Sequence, residues 1–365
     1  MKFLSDHLAK RIKLPLYKDD GEPFFRLAGK QKEIQAQLNR KIKNGEYAQI
    51  QNYCLCANEY SVNDKVLSEK DLFGIGVKNI LCCKCGLIRS DKIFDDKSMA
   101  LFYKNEYNTL YYNLAQPSES FFRSQITRGN GFLSLIEKMR LLDDIETVFE
   151  VGCNMGGNIY PFHQKQKSVS GCDYDDEYLR YGNSKGLNLY QGEVNDQITP
   201  DNSQDLIILS HVMEHFAKPV NSLNEIAKKI RPRKYLLVEV PGIFADKPYS
   251  YYPIWHFQKA HVYNFFYKEY LEVFFSSLGF EILYGDERCT FVLRKGKTHS
   301  LMTEPVYDEK LRNYPSRIEN YLKKKYVSLD YFKFLNGVRV NRAITNVLGG
   351  LPLFERAKNI YKKLK

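Results

Sequence analysis

The stretch Val148-Phe149-Glu150-Val151-Gly152-Cys153-Asn154-Met155-Gly156-Gly157-Asn158 decides the fold of this chain. It predicts a short apolar strand, an acidic residue, a glycine-rich turn and the start of a helix. A doubly wound α/β sheet uses such a turn to present backbone N–H groups and a helix N-terminus to a ligand. Gly152 and Gly156 allow positive φ or close ligand approach. Asn154 stands where a third glycine is common, and asparagine tolerates left-handed geometry.

Three further apolar runs follow this turn. Ser168–Cys172 predicts the next strand, with Asp173 at its carboxyl end. An acid about 20 residues after a glycine turn is well placed to bond ribose hydroxyls. Asp205–His211 and Lys234–Pro241 predict two more buried strands. Apolar runs that alternate with helical segments indicate a parallel sheet covered by helices on both faces.

Two classes of ligand compete for the glycine turn. A dinucleotide requires a full Gly-x-Gly-x-x-Gly turn to accommodate its pyrophosphate. The turn here is Gly-Cys-Asn-Met-Gly-Gly, and Glu150 precedes it. Because an acid repels phosphate and attracts a cationic amino acid, the pattern favours S-adenosylmethionine, which carries a sulfonium and an ammonium group and no phosphate.

Four motifs now support a family resemblance. Glu-x-Gly-Cys-Asn-x-Gly-Gly, Gly-Cys-Asp, Asp-Leu-Ile-Ile-Leu-Ser-His-Val-Met-Glu-His-Phe and Glu-Val-Pro-Gly resemble class I S-adenosylmethionine-dependent methyltransferases, roughly from Asp143 to Lys297. The resemblance implies an α/β, Rossmann-like sheet of seven strands with the last strand antiparallel. It also implies these cofactor-binding residues: Glu150, Gly152, Cys153, Asn154, Gly156, Asp173, Tyr174, Glu193, Val194, Ser210 and His211.

Five of the eight cysteines lie between Cys54 and Cys85. In a chain without secretory features, such clustering favours zinc ligation over disulfides. Two short knuckles separated by a loop supply the four ligands of tetrahedral zinc, and four thiolates leave no open position, which indicates a structural role. Cys83 is an alternative ligand, and reduced cysteines without a metal are the other interpretation. The predicted ligands are Cys54, Cys56, Cys82 and Cys85.

The cysteine region extends the resemblance. Asp71–Val77 and Cys82–Ile88 are similar to the zinc-ribbon module in front of many bacterial methyltransferases, and Phe102–Tyr107 is similar to the aromatic linker that follows it. Many members of this group act on sugars of surface polysaccharides or secondary metabolites. In some relatives, aromatic residues of the linker close over the cofactor. This implies a lid role, with core packing as the alternative, for Tyr103, Tyr107 and Tyr111.

The patterns divide the chain into five parts. The outer parts are basic and helical, and the inner parts contain the cysteines, the aromatic residues and the glycine turn. The predicted boundaries are a helical basic arm at 1–48, a zinc-ribbon-like module at 49–95, an aromatic helical linker at 96–142, a class I methyltransferase domain at 143–297 and a helical basic tail at 298–365.

Histidines supply the candidate catalytic groups, because imidazole titrates near neutral pH and can take a proton from a hydroxyl. His211 to His215 matches the His-x-x-Glu-His pattern of some zinc proteases, but here the first histidine ends a predicted strand, so the two histidines do not share a helix. Similar sugar methyltransferases have Tyr-x-Glu-His after the fourth strand. This chain has Gln258 and Ala260 in the first and third places, which favours O-methylation over C-methylation. The candidates are His261, His211, His215 and His256.

The acceptor and the partners follow from composition. The region from Tyr249 to Phe266 is rich in aromatic residues, which suit a sugar or another flat acceptor. The net charge of +11 indicates an acidic partner, such as a sugar nucleotide, or a solvated lysine-rich surface. The lysines of the basic tail indicate a solvated terminal helix, or else contact with an anionic membrane face or a partner. A run of about 18 apolar residues, which a membrane span requires, is not found. The N-terminus lacks the apolar stretch of a signal peptide, so a cytoplasmic protein is expected.

The sequence therefore predicts methyl transfer from S-adenosylmethionine to a hydroxyl, most simply that of a sugar or glycan. An RNA or protein methyltransferase is the first alternative, although no ordered basic stripe with stacking aromatics supports binding of nucleic acid. A non-catalytic partner subunit that keeps the fold is the second. The sequence leaves the oligomeric state open.

Overall fold

A computed structural model of the protein describes residues 13–57, 63–112, 116–195, 197–245, 257–296 and 306–326. The candidate His256, half of the aromatic-rich acceptor region and most of the basic tail lie outside these ranges. Within them, the strands form sheets of seven, four and two strands.

The strand and helix boundaries are as follows. The strands are β1 Gln49–Gln51, β2 Lys65–Lys70, β3 Gly76–Leu81, β4 Ile88–Ser90, β5 Lys92–Phe94, β6 Thr147–Val151, β7 Ser168–Asp173, β8 Asn188–Gln191, β9 Gln204–Ser210, β10 Ile230–Glu239, β11 Tyr263–Phe265, β12 Phe280–Gly285 and β13 Thr290–Lys295. The α-helices are α1 Gly29–Lys43, α2 Asp96–Phe102, α3 Asn108–Tyr112, α4 Glu119–Lys138, α5 Tyr160–Gln164, α6 Asp176–Asn183, α7 Pro219–Lys229, α8 Lys268–Ser277 and α9 Tyr314–Tyr326. A π-helical turn, Tyr103–Tyr107, joins α2 to α3, and 3-10 turns cover Leu142–Asp144, Met213–His215 and Glu309–Leu311.

The seven-stranded sheet has the order β12-β13-β10-β9-β6-β7-β8. Strands β6 to β10 pair with one another in parallel. Strand β13 is antiparallel to both β10 and β12. The central strand β9 is buried from Asp205 to Ser210, as expected for a parallel strand with helices on both faces. The predicted seven-stranded α/β sheet with an antiparallel last strand is confirmed.

The four-stranded sheet has the order β11-β4-β3-β2 and contains the cysteine region. Its edge strand β11 comes from the segment that follows β10 of the large sheet, and it pairs antiparallel with β4. Two hydrogen bonds strengthen the junction: Ser90 Oγ donates to the carbonyl oxygen of His261 at 2.7 Å, and Asn52 Nδ2 donates to that of Val262 at 3.1 Å. The segment between β10 and β12 of the large sheet thus supplies the edge strand of the small sheet.

The terminal helices of the described chain pack on this small sheet. Leu38 of α1 is fully buried, and Gln31 Nε2 donates to the carbonyl oxygen of Leu110 at 2.8 Å. Ile318 of α9 is also fully buried, and Tyr314 stacks on Tyr267 with 4.4 Å between ring centroids. The helix α9 therefore differs from the solvated helix that its lysines indicate, because its apolar face covers the cysteine region.

Two other features differ from the sequence-based expectation. The linker predicted to be helical as far as residue 142 has its last α-helix end at Lys138, because Arg140 has a φ of 57° that a helix does not allow. The aromatic side chains between 257 and 266 form core rather than an acceptor wall, since each is at most 3% exposed: Phe257, Tyr263, Phe265 and Phe266. Among the described residues, no helix is both long and apolar enough to cross a membrane.

Candidate functional site

The glycine turn between β6 and α5 folds over the carboxyl edge of the large sheet. Gly152, Asn154 and Gly156 have φ values of 65°, 52° and 72°, which is the left-handed geometry that the sequence predicts. A Cβ atom on Gly152 would lie 2.7 Å from Val212 Cγ2, so a side chain at this position would clash. The backbone N–H of Cys153 donates to the carbonyl oxygen of Cys172 at 3.0 Å, which anchors the turn to β7.

Glu150 lies at the end of β6, and its side chain is fully buried. Asn158 Nδ2 donates to Oε1 at 2.6 Å, whereas Oε2 is buried without a hydrogen-bond partner among the described residues. Burial raises the pKa of Glu150 to about 8, although the hydrogen bond from Asn158 opposes this. An unsatisfied buried carboxyl group is costly, so a cationic ligand group beside it would be stabilised.

Asp173 ends β7 and accepts two backbone hydrogen bonds. The N–H of Asn154 donates to Oδ2 at 2.9 Å, and the N–H of Asp175 donates to Oδ1 at 3.1 Å. Burial raises the pKa of Asp173, and these N–H groups oppose the effect. The carboxylate is thus held in one orientation between the glycine turn and the start of α6.

Three of the predicted cofactor-binding residues, Tyr174, Glu193 and Val194, lie just after β7 and β8. Tyr174 donates its hydroxyl to Glu193, and its ring stacks on that of Tyr103 at 6.2 Å between centroids with 17° between planes. Val194 is half-buried and packs against the core. Tyr103 therefore connects the aromatic linker to the cofactor side of the sheet.

His211 follows β9 directly and has a φ of 55°. A bulky residue in this region is an outlier, and such outliers concentrate at functional sites. Its Nδ1 lies 3.2 Å from Glu214 Oε1, and its Nε2 lies 3.7 Å from Glu239 Oε2. Arg128 Nε lies 3.7 Å from the same Glu239 oxygen, and Ser210 Oγ donates to it at 3.3 Å. The imidazole is thus oriented by carboxylates on both sides.

His215 and His261 form a second histidine group beside His211. Their ring centroids are 4.8 Å apart at an interplanar angle of 76°. His215 Nδ1 lies 2.6 Å from the Tyr103 hydroxyl and 3.1 Å from the carbonyl oxygen of Ala260. Burial lowers the pKa of His215, although the charge of Glu214 opposes the effect. The structure therefore brings three of the four candidate histidines to one edge of the sheet, and His256 lies outside the described residues.

The cysteine cluster lies in the small sheet, where Cys54, Cys56, Cys82 and Cys85 are buried and their Sγ atoms lie within 4.8 Å of one another. The Sγ–Sγ distances are 3.5 Å for Cys54–Cys85 and 3.6 Å for Cys56–Cys82. Tetrahedral zinc with Zn–S bonds of about 2.3 Å requires sulfur atoms about 3.8 Å apart. The four thiols that the sequence predicts as ligands therefore have the spacing of a zinc site. Cys83, half-buried and outside this group, donates its N–H to Asp64 Oδ1 at 2.8 Å.

Several contributors to the site were not predicted from the sequence. Asn158, Arg128 and Glu239 complete the surroundings of Glu150 and His211, and each is an ordinary polar residue within a helix, a loop or a strand end. Glu239 ends β10 beside Ser210, the residue at the end of β9. The sequence feature that could have identified Glu239 as a site residue is its position at the carboxyl end of an apolar run, because the carboxyl ends of parallel strands meet at one edge of the sheet.

Comparisons with known proteins gave one family model and several solved structures. Residues 123–284 match the family model of a methyltransferase domain. A SAM-dependent methyltransferase from Archaeoglobus fulgidus is 16% identical with a TM-score of 0.37, over 56% of this chain and 93% of that chain. The PH0226 protein from Pyrococcus horikoshii is 13% identical with a TM-score of 0.37, over 54% of this chain and 95% of that chain. No curated protein matches the sequence.

The sheet order and the family model together define the fold class of the part of the chain that forms the large sheet. Its seven-stranded sheet with one antiparallel strand has a Rossmann-like methyltransferase fold. The glycine turn, Glu150 and Asp173 lie at the carboxyl ends of adjacent parallel strands, where open α/β sheets bind ligands.

Proposed function

We propose that the protein transfers a methyl group from S-adenosylmethionine to a hydroxyl group of a sugar. The observation that carries the proposal is the link between the glycine turn and Asp173, where the N–H of Asn154 donates to Oδ2 at 2.9 Å. This link holds the turn after β6 against the end of β7, where the cofactor cleft of our proposal lies. The family model matched by residues 123–284 supports the same activity.

The residues at this edge fit the proposed cofactor. Glu150 has a buried oxygen without a partner among the described residues, and this oxygen suits the ammonium of the amino-acid end. The turn requires glycine at 152 and 156, because a Cβ there would lie 2.7 Å from Val212 or from Leu187. Asp173 would accept hydrogen bonds from the ribose hydroxyls. Tyr174, Glu193 and Val194 would border the adenine. S-adenosylmethionine supplies an electrophilic methyl group, and its carbon–sulfur bond breaks with the electron pair going to sulfur.

The chain's own residues would position the acceptor oxygen and take its proton. His211 is the base in this proposal, because it lies at the end of β9 and its ring is oriented by Glu214 and Glu239. Holding the acceptor in line with the methyl group supplies most of the rate advantage in such a displacement. The tyrosine rings of Tyr103 and Tyr107, with their polar tips, suit the faces and hydroxyls of a sugar.

We further propose that the four-cysteine cluster holds a structural zinc ion. The buried thiols have near-tetrahedral spacing, and four thiolates around one Zn²⁺ leave a net negative charge. Arg89 lies beside them with its side chain fully buried and pairs with Asp64 at 3.2 Å. Its positive charge would balance part of that excess.

Calorimetric titration of S-adenosylhomocysteine into the protein tests the main proposal. Micromolar binding is expected for the wild-type chain, and Asp173→Ala should weaken it strongly. Asp176→Ala is the matched control, because Asp176 lies three positions away and faces Arg180 on the surface. Absence of binding to folded wild-type protein would reject the methyltransferase assignment, and binding would justify a screen of sugar nucleotides with labelled methyl donor.

A further inference from the structure

We propose that Glu214, His215 and His261 bind a divalent transition-metal cation beside the cofactor cleft. Each residue offers one ligand atom, and these atoms all lie within 4.8 Å of one another. Ligand atoms around one such ion lie about 3 to 4 Å apart, so small side-chain rotations would complete the site. The role of the cation in methyl transfer rests on the proposed function, whereas its binding does not.

The fold brings these residues together from two distant segments. Glu214 and His215 lie in the 3-10 turn Met213–His215 after β9, and His261 lies just before β11. The N–H of Val262 donates to the carbonyl oxygen of Glu214 at 2.9 Å. This backbone bond holds the 3-10 turn against the residue that follows His261, so it keeps the two segments that carry the three side chains together.

Glu214 provides the second, independent observation. Its side chain is fully buried, and Oε1 lies 3.2 Å from His211 Nδ1. The other oxygen, Oε2, is buried and lacks a hydrogen-bond partner within the part of the chain that the structure describes. Leaving one oxygen of a buried carboxylate unsatisfied is unfavourable. A cation bound to this oxygen would remove the penalty.

His215 has, on its Nδ1 side, the kind of hydrogen-bond partner that orients a metal-binding histidine. In the tautomer with the proton on Nδ1, this nitrogen donates to the carbonyl oxygen of Ala260, 3.1 Å away. The Tyr103 hydroxyl lies 2.6 Å from the same nitrogen. Metal-binding histidines typically donate their second ring N–H to a carbonyl or carboxylate, which fixes the ring orientation. In this tautomer the lone pair of Nε2 is available to the cation.

The ligand set indicates both the ion and its role. Two imidazoles and one carboxylate suit Mn²⁺, Fe²⁺, Co²⁺ or Zn²⁺, and three protein ligands leave open positions. A cation there would bind the acceptor oxygen and lower its pKa. The acceptor proton could then pass to His211, which lies next to Glu214, as the oxygen–methyl bond forms and the carbon–sulfur bond breaks.

Mn²⁺ titration followed by electron paramagnetic resonance tests the site. The protein is first loaded with one equivalent of Zn²⁺ and freed of excess metal, because soft thiolates select zinc and the four cysteines therefore take this ion, leaving the proposed site open to Mn²⁺. The wild-type chain should then bind one Mn²⁺. Glu214→Gln and His261→Ala should each weaken binding by about 100-fold or more, since each loses a direct ligand. His163→Ala, on the exposed face of α5, should bind as wild type.

Titration of S-adenosylhomocysteine into the same proteins separates the two proposals and reports the fold of each variant. Wild-type protein that binds S-adenosylhomocysteine but neither Mn²⁺ nor Co²⁺ beyond the thiolate site would overturn the metal site. Unchanged Mn²⁺ binding in both Glu214→Gln and His261→Ala would also overturn it. Mn²⁺ binding that these variants lose, without any binding of S-adenosylhomocysteine to the wild type, would support the site and reject the proposed function.

Discussion

The four-cysteine cluster and the Glu214–His215–His261 cluster are two groups of metal-ligating side chains with opposite designs. The cysteines come from two short knuckles, and all four are buried. The second cluster combines a turn after β9 with a residue before β11, and His215 keeps partial exposure. A site saturated with four protein ligands stabilises a fold, whereas a site with three ligands and access can bind a substrate atom. This difference is why we propose a structural role for the four-cysteine cluster and a reactive role for the Glu214–His215–His261 cluster.

The largest expected effect comes from removing a predicted zinc ligand. Cys82→Ser should release zinc and destabilise the small sheet by at least several kcal/mol, because binding of a structural zinc ion is folding free energy. Thermal unfolding followed by circular dichroism, together with measurement of bound zinc, checks this. Cys83→Ser is the matched control, and it should change the free energy of unfolding by about 0.5 kcal/mol or less. Zinc loss in Cys83→Ser would mean that the ligand set is different.

Replacement of the proposed base should give the next largest effect and separate catalysis from metal binding. His211→Ala should lower kcat by about 100- to 10,000-fold, the usual contribution of a general base, while Mn²⁺ binding persists. His261→Ala should lose Mn²⁺ binding. The measurements are kcat as a function of pH and the Mn²⁺ titration. If His211→Ala keeps the wild-type kcat, the proton goes to another group.

Glu150 should couple cofactor binding to proton release. Burial raises its pKa to about 8, so the free protein holds this proton at pH 7. A bound ammonium favours the carboxylate and lowers this pKa, so binding of S-adenosylhomocysteine at pH 7 should release about one proton. Calorimetry in buffers with different ionisation enthalpies measures this number.

Glu150→Gln is the control for that measurement, because it removes the titrating group and keeps the shape. Proton release should fall to near zero in the variant. The same pKa predicts the sign of a stability effect: an acid with a raised folded pKa contributes stability that is full below about pH 4.5 and is lost as the pH rises through about 8. The variant should therefore show a flatter dependence of unfolding free energy on pH in that window, and an unchanged dependence would argue against the raised pKa.

The smallest expected effect concerns the contact between the aromatic linker and the histidine cluster. Tyr103→Phe removes the hydroxyl 2.6 Å from His215 Nδ1 and keeps the ring that stacks on Tyr174. Because the carbonyl oxygen of Ala260 still accepts from this nitrogen, Mn²⁺ affinity should change by about fivefold or less, the value of one hydrogen bond near 1 kcal/mol. A complete loss of Mn²⁺ binding would show that Tyr103, rather than Ala260, orients the ligand.

Local patterns in the sequence predicted the large sheet and the glycine turn well. Apolar runs gave the strands, and the residue types at Gly152, Asn154 and Gly156 gave the positive φ values, because both are decided within a few residues. The four predicted zinc ligands could also be chosen from the sequence, because each pair of cysteines lies within a few residues. The roles of these residues in binding the cofactor and zinc stay predictions, which measurements of cofactor and zinc binding will test.

Non-local pairing explains what the sequence did not predict. His261 was selected as a base from a motif, but its proximity to Glu214 depends on the long-range backbone hydrogen bond from Val262 to Glu214, which no local pattern indicates. The pairing of β11 with β4 buries Tyr263 and Phe265, which composition alone assigned to an acceptor wall. Aromatic composition does not tell which face of a segment will meet the core.

The pairing of β11 with β4 also has a consequence for the order of folding during synthesis. The hydrogen bond between Ser90 and His261 spans 171 residues, so the cysteine-containing sheet keeps an unpaired edge while most of the chain is being translated. Contacts of such sequence separation form slowly, and open strand edges favour aggregation. A nascent chain that ends before Tyr263 should therefore depend on chaperones, and the small sheet should reach full protection only after the five parallel strands β6 to β10 of the large sheet have been synthesised.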